Sequence, residues 1–229
     1  SLSKNAGWYT INSWKSGYYD GYVNVFACGN QANQNNSLRK ELNEGEMSIM
    51  LRWPKLTATD LDSHLQIPDN ASSTFQIYYA VDKFYYAKNT NTCSSCSSDQ
   101  LSDNVTLDKD HNNNSDPAAP PGDETIRIKK VRSGTYSFSV HNLTDYDNRS
   151  IKKLRKSGAK VRVFYCPVGT DCNCNACPEA GNLVKKKFHV PNKNGTLWRV
   201  FTFNSSDSGG SGFTRVRTMT YESSRANVY

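Results

Sequence analysis

Apolar side chains recur at every second position along most of this chain, in short runs set between clusters of Gly, Pro, Asn and Asp. A period of two belongs to the β-strand, whose successive side chains point to opposite faces. The runs "GWYTINSW", "YVNVFAC", "MSIMLRW", "DLDSHLQI", "TFQIYYAV", "KFYYA", "NVTLDKD", "ETIRIKKV", "GTYSFSVHNL", "AKVRVFYC", "NLVKKKFHV", "TLWRVFTF" and "FTRVRTMTY" each predict a strand. Alternation assigns their faces. In "GTYSFSVHNL", Tyr136, Phe138 and Val140 oppose Ser137, Ser139 and His141, and in "AKVRVFYC", Val161, Val163 and Tyr165 oppose Lys160, Arg162 and Phe164. In "DLDSHL", Asp60, Asp62 and His64 share one side, with Leu61, Ser63 and Leu65 on the other. Rows of this kind, dry on one face and wet on the other, are those of antiparallel sheets. The fold expected is all-β: an antiparallel β-sandwich of jelly-roll or immunoglobulin-like type, its inner rows closing a core about 10 Å thick. Only "SLRKELNEGE" (37–46) reads as helical, with Ser37 as cap and Gly45 as stop.

The pattern divides the chain into three parts. Residues 1–45 form an aromatic strand extension, rich in Trp and Tyr but poor in Leu and Ile, which either lies across its own sandwich or completes the sheet of a neighbouring copy. Residues 46–203 form the sandwich core, interrupted by a cysteine-rich insert at 166–177. Residues 204–229 form a Gly/Ser tether, "NSSDSGGSG", and a last strand able to reach a distant edge or another molecule. The stretch "HNNNSDPAAPPGD" reads as a surface excursion.

Composition adds compartment and partners. The hydrophobic fraction is low at 36%, yet 13 Tyr, 9 Phe and 4 Trp supply large buried areas per residue. The net charge of +7 is spread among basic residues interleaved with apolar ones, so no nucleic-acid partner is expected. No apolar run approaches the roughly 18 residues of a membrane span. Seven cysteines, Cys28, Cys93, Cys96, Cys166, Cys172, Cys174 and Cys177, are disulfide candidates, with pairing left open and one cysteine over. "CSSC" and "CPVGTDCNCNAC" also have the spacing of thiolate zinc ligands. Asn-x-Ser/Thr occurs at Asn35, Asn70, Asn104, Asn113, Asn142, Asn148, Asn194 and Asn204, most of them beside turn residues where a covalent glycan would stay in water. Sequons and cysteines together point to an extracellular, secreted glycoprotein.

The ordered set "LRWPKLTATDLDSHLQIP", "DETIRI", "GTYSFSVHNLT", "SGAKVRVF" and "FHVPNKNGTLWRVFTF" resembles the YfaP-like domain family, over about residues 46–203. That resemblance implies a compact exported β-sandwich with no established enzymatic activity. The aromatic extension, the cysteine-rich insert, the tail and "GDETI", where the family has Pro before Glu, depart from the family pattern.

Candidate chemistry gathers on carboxylates. Asp60, Asp62, Asp108 and Asp110, joined by His64, offer hard oxygen ligands suited to Ca2+. "DKDHNNN" matches the opening of a calcium loop, but Asn113 stands where Gly should turn the chain and Ala119 where a Glu should close the shell. No catalytic residues are assigned. No nucleophile elbow is present, and no pair of carboxylates is marked as flanking a sugar. Trp8, Trp14, Trp53 and Trp198 all lie in strand-like runs, where core packing is expected over stacking on sugars. The function expected is a structural or adhesive one, with the chain adding strands to copies of itself in a filament or coat. A Ca2+-dependent carbohydrate- or surface-binding module is the alternative, and a glycoside-active enzyme a third.

Overall fold

The computed structural model describes residues 6–19, 21–28, 39–54, 60–70, 72–111, 122–142, 152–172, 182–206, 212–224 and 228. In chain order the strands are β1 (Gly7–Ser13), β2 (Tyr18–Tyr19), β3 (Gly21–Ala27), β4 (Arg39–Lys40), β5 (Met47–Trp53), β6 (Leu61–Pro68), β7 (Thr74–Ile77), β8 (Lys83–Tyr85), β9 (Asn104–Lys109), β10 (Gly122–Ile128), β11 (Thr135–Asn142), β12 (Lys160–Tyr165), β13 (Val184–His189), β14 (Leu197–Asn204) and β15 (Phe213–Thr220). Two single-turn helices, α1 (Ser98–Leu101) and α2 (Lys153–Lys156), complete the described elements. The strands build a six-stranded sheet, β13-β12-β5-β10-β9-β8, and a five-stranded sheet, β15-β14-β11-β6-β7, each antiparallel throughout. They face one another as an antiparallel β-sandwich.

The inner rows are those that alternation picks out. Met47, Ile49, Leu51 and Trp53 of β5, with Ile126 and Ile128 of β10 and Val161, Val163 and Tyr165 of β12, meet Leu61, Leu65 and Ile67 of β6 and Tyr136, Phe138 and Val140 of β11 in one core. On β14 the apolar positions 198, 200, 201 and 203 break strict alternation. A register shift against β11, between Phe138 and Ser139, absorbs the extra residue, and Trp198, Val200, Phe201 and Phe203 all reach the core. A smaller cluster, Leu42, Phe164, Cys166, Cys172 and Leu183 with Met50 and Tyr19 against it, covers the outer face of the six-stranded sheet. Phe164 points outward, as alternation predicts, and finds this second cluster there. The disulfide Cys166–Cys172, with Cα atoms 5.8 Å apart, staples the cluster, and Cys93–Cys96 closes a second, local loop.

The described part of 37–46 is not helical. Arg39–Lys40 pairs with Tyr18–Tyr19, the Glu41 N–H reaches the Gly17 carbonyl at 2.9 Å, and Gly45 turns the chain at φ +77°. Burial of Leu42 and main-chain pairing override the local helix preference. Tyr19 adds a link to the sandwich, its hydroxyl donating to the Cys172 carbonyl at 3.3 Å. At the other end of the chain, β15 hydrogen-bonds β14 of the same molecule and forms one edge of the five-stranded sheet.

Trp53 fits its place because Gly122, its direct partner on β10, has no side chain: a Cβ there would stand 2.0 Å from the indole ring. Gly122→Ala is therefore expected to lower stability by about 2 kcal/mol through overpacking. Gly169→Ala is the control. Its φ of +77° costs about 1 kcal/mol on a Cβ, but nothing lies within 4 Å to clash. Denaturant titration of both variants tests the order, and equal losses would refute the packing account.

Candidate functional site

β6 and β11 lie side by side in the five-stranded sheet, with Gln66 opposite Ser137, His64 opposite Ser139 and Asp62 opposite His141. Alternation sends all six to the outer face, since Leu61, Leu65, Phe138 and Val140 occupy the inner one. An outer face of this kind ordinarily meets water. Here Asp62, His64 and His141 are 2%, 1% and 0% exposed. The chain that leaves β15 lies against His141: the Glu222 carbonyl lies 3.1 Å from His141 Nε2 and accepts from the Thr196 hydroxyl at 2.9 Å, while the Glu222 N–H bonds back to that hydroxyl at 2.8 Å. The Tyr78 ring stacks on His64 with centroids 5.4 Å apart.

Ligand atoms of Asp62, His64 and His141 lie within 4.8 Å of one another, and so do those of Asp62, Asp110 and Glu124. Asp62 is common to both sets. Glu124 comes from β10 of the facing sheet, and its Oε2 accepts the Ser63 N–H at 2.6 Å. Its other carboxylate oxygen, like Nε2 of His64, is buried without a hydrogen-bond partner. Nδ1 of His64 lies 2.8 Å from the side-chain amide nitrogen of Gln76. A carbonyl can only accept, so His141 Nε2 carries a proton and donates it to Glu222.

Burial governs the protonation of this cluster. Desolvation, assisted by neighbouring His141, lowers the His64 pKa to about 3, so the ring is neutral across the physiological range. Desolvation, then the charge of Asp62 and that of Asp110, pushes the Glu124 carboxyl well above the usual carboxylate range, against the opposing hydrogen bonds from Ser63. Two carboxyl groups share one dry site, which favours a bound proton or a cation there.

Of the four carboxylates expected to bind Ca2+, the structure brings together Asp62 and Asp110. Among the described residues Asp60 and Asp108 join neither set, and Asp108 accepts a hydrogen bond from Thr106 instead. The calcium-loop reading beyond position 111 falls outside the described residues. His141 and Glu124 are the participants that the sequence reading missed. Both lie in predicted strands, and His141 on an assigned face, but their meeting depends on which strands pair and which sheets touch. The outward row Ser137, Ser139, His141 beside Asp62 and His64 is the signal that a known β6–β11 pairing would have exposed.

The other expected sites divide. Asn70 and Asn194 are exposed, Asn104 and Asn204 are partly covered at strand ends, and Asn142 is buried, where a glycan has no room in the folded chain. Asn35, Asn113, Asn148, Cys174 and Cys177 lie outside the described residues, and Cys28 is exposed at the end of β3. Trp53 and Trp198 pack in the core as expected, whereas Trp8 and Trp14 are 74% and 77% exposed.

Comparison of the chain with protein-family models, curated proteins and solved structures finds no match.

Proposed function

We propose that this chain is a structural or adhesive β-sandwich of the cell exterior, N-glycosylated and able to join copies of itself, working by contact rather than by turnover. The observation that carries this reading is the hairpin of β1 and β3. Among the described residues its strands pair only with each other, and its outer row presents Trp8 beside Phe26, ring centroids 5.3 Å apart, both exposed, with Trp14 just beyond. A lone two-stranded ribbon is marginal in water. Large aromatics side by side on such a ribbon mark a contact surface.

The partner is a second copy. Lys185, Lys186 and Lys187 guard the β13 edge of the sandwich and Arg215 and Arg217 the β15 edge, in the way natural sheets discourage edge pairing. The β7 edge, Thr74–Ile77, carries no charge. A hairpin from one molecule laid along the β7 side of the next makes a head-to-tail contact, and such contacts extend into filaments when they do not close. Two disulfides and the resemblance of 46–203 to an exported family support the compartment.

Sedimentation over a concentration series tests the reading. The wild-type chain is expected to grow in mean mass with concentration. A Trp8→Ser/Phe26→Ser variant should stay monomeric with an unchanged melting temperature. A wild-type chain that remains monomeric throughout overturns the proposal.

A further inference from the structure

We propose that Asp62, His64 and His141 form a closed structural site for a divalent transition-metal ion of the zinc class, with Glu124 and Asp110 as its surrounding carboxylates. The donor set decides the class of ion. Two imidazoles with one carboxylate suit zinc and its neighbours, while Ca2+ takes six to eight oxygens. Spacing is consistent with this. Bonds of about 2.1 Å in a tetrahedral shell put ligand atoms roughly 3.4 Å apart, and one ligand atom from each of the three residues lies within 4.8 Å of the others.

Three further observations point to an ion. His64 keeps a buried ring nitrogen, Nε2, without a hydrogen-bond partner. The Gln76 amide nitrogen lies 2.8 Å from the opposite nitrogen, Nδ1, and exchanging that amide's nitrogen and oxygen, which fill the same space, lets it accept Nδ1–H and leaves the lone pair on Nε2. His141 donates Nε2–H to the Glu222 carbonyl, which leaves Nδ1 as the nitrogen it would offer an ion. A ring nitrogen tied to a carbonyl or amide behind the ligating one is the usual outer arrangement of metal-bound histidine. The third observation is charge. Glu124 is buried against Asp62, and no lysine or arginine pairs with Glu124 among the described residues. A divalent cation beside both carboxylates compensates what burial otherwise disfavours.

The site is structural because it is closed. Its three ligands are almost fully buried, with Tyr78 stacked on His64 and the Glu222 carbonyl on His141, while the outlying Asp110 is exposed. An ion there ties β6 to β11 and, through His141, fastens the C-terminal segment across the outer face of the sheet. This inference does not depend on self-association: a monomeric chain would bind the ion equally.

The experiment is titration of the chelator-treated full chain with Zn2+, Ca2+ and Co2+, followed by calorimetry, thermal melting and, for Co2+, visible absorption. One Zn2+ per chain and a melting temperature raised by about 5 °C are expected, as for a ligand held well above its dissociation constant. Ca2+ should have little effect. His64→Gln and His141→Gln should each weaken Zn2+ binding at least about tenfold, within the usual cost of disturbing a metal site. His189→Gln, on an exposed histidine, should leave it unchanged. If a ligand variant fails to fold, Co2+ in the wild-type chain still decides, since intense visible bands report low-coordinate nitrogen ligation. Absence of Zn2+ binding, a larger shift with Ca2+, binding unchanged in the two histidine variants, or Co2+ bound without such bands would each overturn the proposal.

Discussion

Phe201→Ala is expected to lower the stability of this chain by about 4 kcal/mol, the largest loss from any single ring in the core. Removing a buried Phe costs about 3–5 kcal/mol in lost transfer energy and residual cavity. The upper part of that range applies because of where this ring stands. Phe201 lies opposite Phe138 of β11 and nearly parallel to it, centroids 5.5 Å apart. On another side it stacks on Phe188 of β13 at 5.1 Å, and Phe213 of β15 meets it edge-on at 5.4 Å. One side chain thus couples three others drawn from both sheets and both basic edges, and each aromatic pair adds about 0.5–1.5 kcal/mol beyond its area. Phe26→Ala, on the exposed hairpin, should change stability by less than about 0.5 kcal/mol. Denaturant midpoints at constant slope measure both. A loss below about 1.5 kcal/mol for Phe201→Ala would mean that the ring column does not hold the sheets together.

That column also shows how far alternation carries. The inward rows of β6, β11 and β12 follow from a period of two, because a half-buried strand writes its orientation into its own sequence. β14 writes it less cleanly. Apolar residues at 198, 200, 201 and 203 suit two parities at once, and only the partner strand shows where the register shifts. A further limit applies to outward rows. Alternation states that Asp62, His64 and His141 leave the core, but not that Tyr78 stacks on His64, that Glu222 comes back against His141, or that all three end up buried. The same limit separates Trp53 and Trp198 from Trp8 and Trp14. Trp53, Trp198 and Trp8 lie in strands and Trp14 directly follows one, and burial depends on whether another layer covers that strand. Glu124 faced inward by the same alternation, and its meeting with the Ser63 N–H required the contact between the two sheets. Local pattern thus specifies strands and faces, while sites arise from pairing and covering, which are long-range.

A second large effect is expected where the covering of an outer face traps charge. Arg127 points away from the main core on β10, yet is buried, with Nη2 donating to Glu46 Oε2 at 2.6 Å and to the Glu41 carbonyl at 3.3 Å. The Asn43 N–H reaches the same carboxylate oxygen at 3.0 Å, and Lys129 stands 3.6 Å from the other. Arg127→Met leaves a buried carboxylate short of its main counter-charge, which ordinarily costs about 3–5 kcal/mol. Lys129 and the Asn43 N–H remain as partial compensation, so about 3 kcal/mol is expected. Glu46→Leu removes the acceptor and strands the guanidinium. Its loss should be smaller, because Arg127 keeps the Glu41 carbonyl and a longer stem on which to reach water. With both replaced, neither charge is buried alone, and the double variant should recover most of the loss, since apolar substitutes of similar volume often match a buried pair. A double-mutant cycle read by denaturation should therefore give a coupling of at least about 1.5 kcal/mol. Losses that simply add would show that the two side chains reach solvent independently and that the outer face near β4 and β10 is open, not packed.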